Sequence, residues 1–369
     1  MPEGTGRTPS FGDLGGWPVI LGRLTAGEIL SRGEAYAALE EILDGKATGA
    51  QIGGFLVGLR ARGETADEMT GLVAAMLDHA EALPVGGDLL DTCGTGGDRS
   101  RSINVSTIAA FVAAGAGARV CKHGNRAASS AAGSADVLEA LGVVVDLGPA
   151  GVARCVEDAG MGFCFAPRFH PAMRHAGPVR AELGIPTVFN FLGPLAHPAR
   201  ARFQVVGVSD PAMAETMAGV LAANESRHAM VVHGADGLDE ISTTGPTRVI
   251  EIEVVPGATS SSEVTTRTYE VDPSAYGFAP ATLSDLRGGD AAFNAVALRR
   301  VLDGDSGPHR DIAVLNAAAG LVVSGIASDL AAGIEAAVAS IDTGAAATVL
   351  GRLVAVSQDA RAAEAGQTT

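Results

Sequence analysis

The chain has 369 residues, 47% hydrophobic and 18% charged, with 26 Lys and Arg against 42 Asp and Glu for a formal net charge of −16. That length and apolar content exclude a disordered chain and favour two domains over one. The acidic balance argues against a nucleic-acid binder, which needs a basic face. A polyanionic ligand would have to be met by locally gathered cations or by a metal.

In chain order, residues 1–16 are rich in Gly, Pro, Ser and Thr without periodicity and read as a disordered tail. From Trp17 a helical pattern begins. Ser31 with Glu34, Thr48 with Gln51 and Thr65 with Glu68 form three capping boxes, whose helices are expected to end at Gly45, at Gly63 and near Pro84. Apolar residues recur at helical spacing, as in Tyr36, Leu39, Ile42 and Leu43, then Met69, Leu72, Val73 and Met76. Residues 17–85 therefore read as an all-helical module.

The texture changes at Gly86. Strand-like runs at 88–92, 118–122, 142–147 and 163–166 alternate with helical segments at 103–114, 135–141 and 150–159. This alternation predicts an α/β domain with a mostly parallel sheet. Residues 171–181 return to a helical pattern, and helices within 171–198 are expected to complete the helical module. Further strands are expected at 203–208, 228–233 and 249–255, with 264–271 as an added antiparallel strand. Helices should dominate from Asp311 to about Val356, so the α/β domain takes residues 86–170 and 199–369. Cys93, Cys121, Cys155 and Cys164 form no CxxC pair, so they read as buried thiols rather than a zinc site. No signal peptide opens the chain and no apolar run reaches transmembrane length, which leads us to expect a cytoplasmic protein without membrane partners.

Chemistry concentrates in two glycine-bounded loops and three further segments. Gly94-Thr95-Gly96-Gly97-Asp98 follows a short apolar run and precedes a helix. Such a loop presents backbone N–H groups to an anion, and equally reads as a tight strand–helix turn. It lacks the Lys-Ser or Lys-Thr of a P-loop and the spacing of a dinucleotide fingerprint. Asn104-Val105-Ser106-Thr107 opens the next helix as caps, or as hydroxyls near a phosphate and a magnesium ion. The second loop, residues 122–130, carries Lys122, His123, Asn125 and Arg126 with small and hydroxyl residues, a pattern suited to a sugar phosphate. Asp239-Glu240 follows a strand and reads as a solvated turn or as a magnesium ligand pair. Arg168, Arg174 and Arg180 are arginine forks for a substrate carboxylate that the residues alone do not rank.

Together these elements resemble the anthranilate phosphoribosyltransferase family. The matching segments are Gly94–Asp98, Asn104–Thr107, Lys122–Ser130, residues 165–184, residues 189–194 and Asp236–Glu240, in register over about residues 17–356. The resemblance implies a small helical domain hinged to a larger α/β domain, a homodimer, and transfer of phosphoribose from 5-phosphoribosyl 1-pyrophosphate to anthranilate with Mg²⁺. It assigns the phosphoribosyl pyrophosphate to Gly94, Gly97, Asp98, Ser102, Asn104, Val105, Ser106, Thr107, Lys122, His123, Gly124, Asn125, Arg126, Ala127, Ala128, Ser129, Ser130 and Ser134. Ser106, Asp239 and Glu240 are assigned to magnesium. Gly94, Asn125 and Arg180 are expected to meet anthranilate, with His123 and His170 in its pocket or entry channel. Lys122, Asn125 and Arg180 are the expected catalytic residues. The chain departs from the family pattern at Arg99, where glycine is common, at Ser102 for threonine, and at Met173 for an aromatic. A nucleoside phosphorylase and a non-catalytic nucleic-acid-binding relative are the competing readings.

Overall fold

The structure, a computed structural model, describes residues 11–127, 131–224, 226–255 and 264–367. The chain divides into two compact units, one running to Ala80 and including His170–Ala196, the other holding Glu81–Phe169 and the chain from His197 onward.

The first unit is helical, with helices Gly16–Thr25, Arg32–Leu43, Gly49–Arg62 and Ala66–Asp78, then Gly177–Leu183 and Phe189–Leu195. All three capping boxes form, with the hydroxyl accepting from the N3 amide and the N3 side chain accepting from the cap amide. Glu68 reaches further than its own cap. Fully buried, it also accepts the Leu30 N–H at 2.9 Å and so ties the fourth helix to the chain entering the second. Two expectations are corrected. The fourth helix stops at Asp78 instead of near Pro84, and three residues on the Glu81 N–H donates to the Phe169 carbonyl. Residues 1–10 of the expected tail lie outside the described residues. Phe11–Gly15, however, is a turn whose Phe11 ring packs edge-on against Trp17 at 5.1 Å.

The second unit is an α/β sandwich around seven strands: β1 (Leu90–Gly94), β2 (Val120–Gly124), β3 (Met161–Phe165), β4 (Phe203–Gly207), β5 (His228–Gly234), β6 (Thr247–Val254) and β7 (Val264–Val271). Their order is β3-β2-β1-β4-β5-β6-β7, parallel through β5, with β6 and β7 antiparallel. The chain winds outward from β1 to β3, then restarts at β4 on the other side of β1. That reversal puts a topological switch point between β1 and β4, where open α/β sheets bind ligands at the carboxyl ends of their strands. Gly94 and Gly207 face each other there in register.

Residues 142–147 are not a strand. Val143, Val145 and Leu147 alternate into the core as a strand would. The backbone bonds go elsewhere: the Val144 N–H donates to Ser357 Oγ and the Gly148 N–H to Glu364, both on the last helix. Helices Val105–Gly115, Ser134–Ala140 and Pro149–Ala159 match expectation within two residues. A helix at Ala291–Leu302 was not expected, and the last one runs from Ala345 to Gln367, past Val356. No single described helix is long and apolar enough to cross a membrane.

The antiparallel half holds a buried carboxylate at Glu251 on β6. It accepts from His228 Nε2 (2.7 Å), Arg267 Nε (3.0 Å) and Nη2 (2.9 Å), and Tyr269 Oη (2.6 Å). Burial alone would push this carboxyl up, but the donors outweigh it and hold it down at about 2. Its stabilising contribution is therefore complete above the ordinary carboxylate value of 4.5 and is lost as pH falls towards 2. Glu251→Gln is expected to cost about 2 kcal/mol at pH 7, with the difference from wild type closing below pH ~3. Thermal melts at the two pH values check both the size and the sign.

Candidate active site

The phosphate side of the site is built at the carboxyl ends of β1, β2 and β4. Asp239 and Glu240, on the segment after β5, are brought back to the first loop. Asp239 Oδ2 accepts the Gly96 N–H at 2.7 Å, and Glu240 Oε1 accepts the Ser106 N–H at 3.1 Å. The approach requires two glycines. A Cβ on Gly94 would lie 2.2 Å from Asp239 Oδ2, and one on Gly207 would lie 1.6 Å from the Asp239 carbonyl oxygen. From the other side Asn316, buried in the Pro308–Val323 helix, clamps the next residue. Its Oδ1 accepts the Ile241 N–H and its Nδ2 donates to the Ile241 carbonyl, both at 2.8 Å.

The carboxylate pair is electrostatically loaded. Burial, then repulsion from Asp98, pushes the Asp239 carboxyl up to about 6, and burial with the neighbouring Asp239 raises Glu240 as well. The compensating cation is Lys122, buried on β2, whose ammonium donates to Ser106 Oγ at 3.2 Å and to the Thr92 carbonyl. Two destabilised carboxylates beside a serine hydroxyl form a hard-oxygen donor set, which fits a divalent cation such as magnesium.

The first loop differs in detail from expectation. The helix after it does not offer its first amides to a ligand. Val105 N–H bonds to the Ile103 carbonyl, Ser106 N–H to Glu240 and Thr107 N–H to the Asn104 carbonyl. The open donors lie one turn earlier: the N–H groups of Gly97, Asp98 and Arg99 have no acceptor among the described residues. Four residues of this loop have positive φ: Gly96, Gly97, Arg99 and Arg101. At the two arginines this costs about 1 kcal/mol or more each. Ser102 is half-buried and bridges to Arg287. Asn104 ties loops together, donating to the Ala132 carbonyl and accepting from Asn294, so its side chain is taken.

In the second loop the Arg126 side chain is turned to acidic neighbours. Its guanidinium pairs with Asp136 (3.0 Å) and with both carboxylate oxygens of Glu139 (2.6 and 2.7 Å), over the Phe165 ring. With its charge matched, it braces the loop. Asp136 also accepts the Ala127 and Gly133 amides. Asn125 is exposed beyond β2, with Oδ1 on the Arg126 N–H; Ser134 Oγ reaches the Asn125 carbonyl beside Gly124. His123 is buried, its N–H on Asp91 Oδ1. Ala128, Ser129 and Ser130 lie outside the described residues.

Within the helical unit the structure ranks the arginines of this region. Arg174 is exposed and caps the Pro171 carbonyl. Arg168, which belongs to the other unit, pairs with Glu81. Arg180 alone is half-buried without an acidic partner among the described residues. Its guanidinium stacks on Phe189 at 5.1 Å, and burial lowers its pKa. A partly desolvated arginine set over a ring, with no acidic partner among the described residues, is prepared for a carboxylate. His170 is buried, Nε2 on the Ala196 carbonyl at 3.0 Å, and with Leu43, Met76, His79, Ala172 and Met173 it lines a shallow crevice.

Sequence reasoning missed Gly207, Asn294 and Asn316. Asn316 had a visible signal, a lone amide inside an otherwise apolar helix; Gly207 had none beyond ending a strand.

Comparisons with known proteins agree with this architecture. Residues 18–80 match the helical bundle domain of the Glycosyl transferase family, and residues 86–347 match its a/b domain. The anthranilate phosphoribosyltransferase of Chloroflexus aggregans is 51% identical over 89% of this chain and 95% of its own, and that of Salinispora arenicola is 50% identical over 94% and 98%. The crystal structure of the Thermus thermophilus enzyme of that name superposes with a TM-score of 0.85 at 41% identity, covering 92% of this chain and 99% of that one. The Saccharomyces cerevisiae enzyme in complex with PRPP and Mg superposes with a TM-score of 0.83 at 29% identity, over 93% and 98%. The chain belongs to the anthranilate phosphoribosyltransferase family.

Proposed function

We propose that this chain transfers the 5-phosphoribosyl group of 5-phosphoribosyl 1-pyrophosphate to the amine of anthranilate, giving N-(5-phosphoribosyl)anthranilate and pyrophosphate in the second step of tryptophan biosynthesis from chorismate. The observation that carries this reading is the pair of buried Asp239 and half-buried Glu240 set against the open N–H groups of Gly97 and Asp98. Ser106, Asp239 and Glu240 would hold magnesium, which when bound supplies positive charge to the diphosphate.

The chain's own residues do the rest. Breaking the ribose C1–O bond leaves negative charge on the departing diphosphate. The open Gly97 and Asp98 amides and the Lys122 ammonium, held by Thr92 and Ser106, would meet it. Anthranilate attacks through a neutral aromatic amine, so orientation matters more than a strong base. Arg180 holds its carboxylate.

Arg180→Ala is expected to raise the KM for anthranilate about 30-fold or more, as loss of a charge-assisted pair does, with the KM for the phosphoribosyl donor unchanged. Loss of anthranilate fluorescence, followed with and without Mg²⁺, measures both constants. An unchanged anthranilate KM removes Arg180 from the site. Turnover of thymidine with phosphate, and none of anthranilate, would instead favour the phosphorylase reading.

The same proposal includes a homodimer and a cytoplasmic location. Val19 and Val57, on adjacent helices of the first unit, are 43% and 40% exposed and give a second copy an apolar contact. A single-copy mass in light scattering excludes the dimer. The four cysteines are free and buried, consistent with a reducing compartment.

A further inference from the structure

Among the described residues only Arg99, Arg101 and Arg200 adopt positive φ without being glycine, and the first two lie in the phosphate loop at 60° and 56°. An arginine in that conformation is held there by its surroundings, because glycine alone adopts it freely. Local bonds account for the backbone. Ser100 N–H donates to Asp98 Oδ1 at 3.4 Å, Ser102 N–H to Ser100 Oγ at 3.1 Å, and the Arg101 carbonyl accepts the Gly288 N–H at 2.8 Å. None of them involves the Arg99 side chain, which is exposed and without an ion-pair partner among the described residues. In a chain with 42 acidic residues and 26 Lys and Arg, an unpaired guanidinium is a scarce resource.

Two other cations near the loop are already engaged. Arg126 is matched by Asp136 and Glu139, and Lys122 lies inside the protein on Ser106 and Thr92. Arg101 is exposed like Arg99, with only its carbonyl bonded among the described residues, to the Gly288 N–H, and it stands two residues further from the open amides. Arg99 lies directly after the amides of Gly97 and Asp98 that have no acceptor, its own amide continuing the same row. Successive open amides with left-handed residues among them form a concave anion nest, and Arg99 adds a full positive charge at its rim.

We propose that Arg99 is a further binding residue for the diphosphate of the phosphoribosyl donor, contacting it from the solvent side while Lys122 acts from within. The inference rests on the reading of the site given above. Arginine's planar fork can take two phosphate oxygens at once, which a lysine cannot. The contact ought to weaken as salt rises.

Three substitutions separate charge from backbone. Arg99→Ala removes the charge and keeps the left-handed strain. Arg99→Gly removes both, and Arg99→Lys keeps both. Magnesium pyrophosphate binding by calorimetry and the KM for the phosphoribosyl donor are the readouts. Ala and Gly are each expected to weaken both by about tenfold, Lys to stay within about threefold of wild type, and the KM for anthranilate to stay unchanged in all three. An Arg99→Ala protein that binds like wild type overturns the proposal. So does an effect confined to Arg99→Gly, which would place the role in loop mobility, or an effect found for Arg101→Ala and not for Arg99→Ala. A wild-type protein that binds neither ligand removes the reading of the site itself, a failure distinct from these.

Discussion

Converting Asp239 to Asn and Glu240 to Gln together is expected to stabilise the metal-free protein while lowering kcat/KM by about 10³-fold. Burial raises both carboxyls, Asp239 to about 6, and repulsion adds to it, from Asp98 at Asp239 and from Asp239 at Glu240. The sign follows from linkage. A carboxyl whose folded value lies above its unfolded one holds its proton longer in the folded state. Stability is then lost as pH climbs from about 4 through the raised values. The penalty is small at pH 4, largely present at pH 8 and complete only above it, since Glu240 is raised to about 8; neutral amides remove it, a gain of roughly 3 kcal/mol. The two anchoring bonds survive the exchange, because an amide oxygen still accepts from Gly96 and Ser106. Thermal melts of wild type and the double variant at pH 4 and pH 8 test this. The wild type should regain the difference on adding Mg²⁺ and the variant should not. Equal melting temperatures at pH 8, or a variant that responds to Mg²⁺ as wild type does, would remove the pair from the metal site. A gain in stability bought with lost activity is what a site built from opposed charges produces.

How much of this was legible in the sequence depends on how far apart the partners lie. The capping boxes at Ser31, Thr48 and Thr65 formed as read, because each is closed by residues three positions apart. The run at 142–147 misled for the opposite reason. Its alternating burial is that of a strand, while its backbone is bonded to the helix near the end of the chain. The Ala291–Leu302 helix went unread because it leaves Phe293 and Val296 exposed, which blurs any single apolar face.

The site shows the same division. Glycines, hydroxyls and adjacent carboxylates mark Gly94–Asp98, Ser106 and Asp239–Glu240 by type and order alone. What each side chain bonds to depends on partners elsewhere. Nothing in the local sequence tells that the Arg126 guanidinium pairs with Asp136 and Glu139, ten and thirteen residues on. Arg180 could not be told from Arg168 or Arg174 until the other two found partners. Asn104, read as a cap, is bonded to Asn294 far along the chain.

Gly207→Ala is expected to remove activity and to cost at least about 3 kcal/mol of stability, although a single methyl is all that is added. The methyl would stand 1.6 Å from the Asp239 carbonyl oxygen and 2.4 Å from its carbon, so backbone must move against backbone. The carboxylate segment has no easy retreat. Asn316 holds Ile241 by both its N–H and its carbonyl, and Asp236 accepts the Ser242 and Thr244 hydroxyls just beyond. Gly207 is equally fixed, paired in register with Gly94 and accepting the Thr95 N–H at 2.9 Å. Gly94→Ala is the informative comparison. Its methyl would meet Asp239 Oδ2 at 2.2 Å, a side-chain atom that can rotate away. Rotation sacrifices the bond to the Gly96 amide and the metal ligand, but it spares the sheet. Both variants should therefore lose activity, while only Gly207→Ala should melt markedly lower. If the two melt alike, the segment carrying Asp239 shifts freely, and the carboxylates are held by their own bonds rather than by the close approach of the β4 backbone.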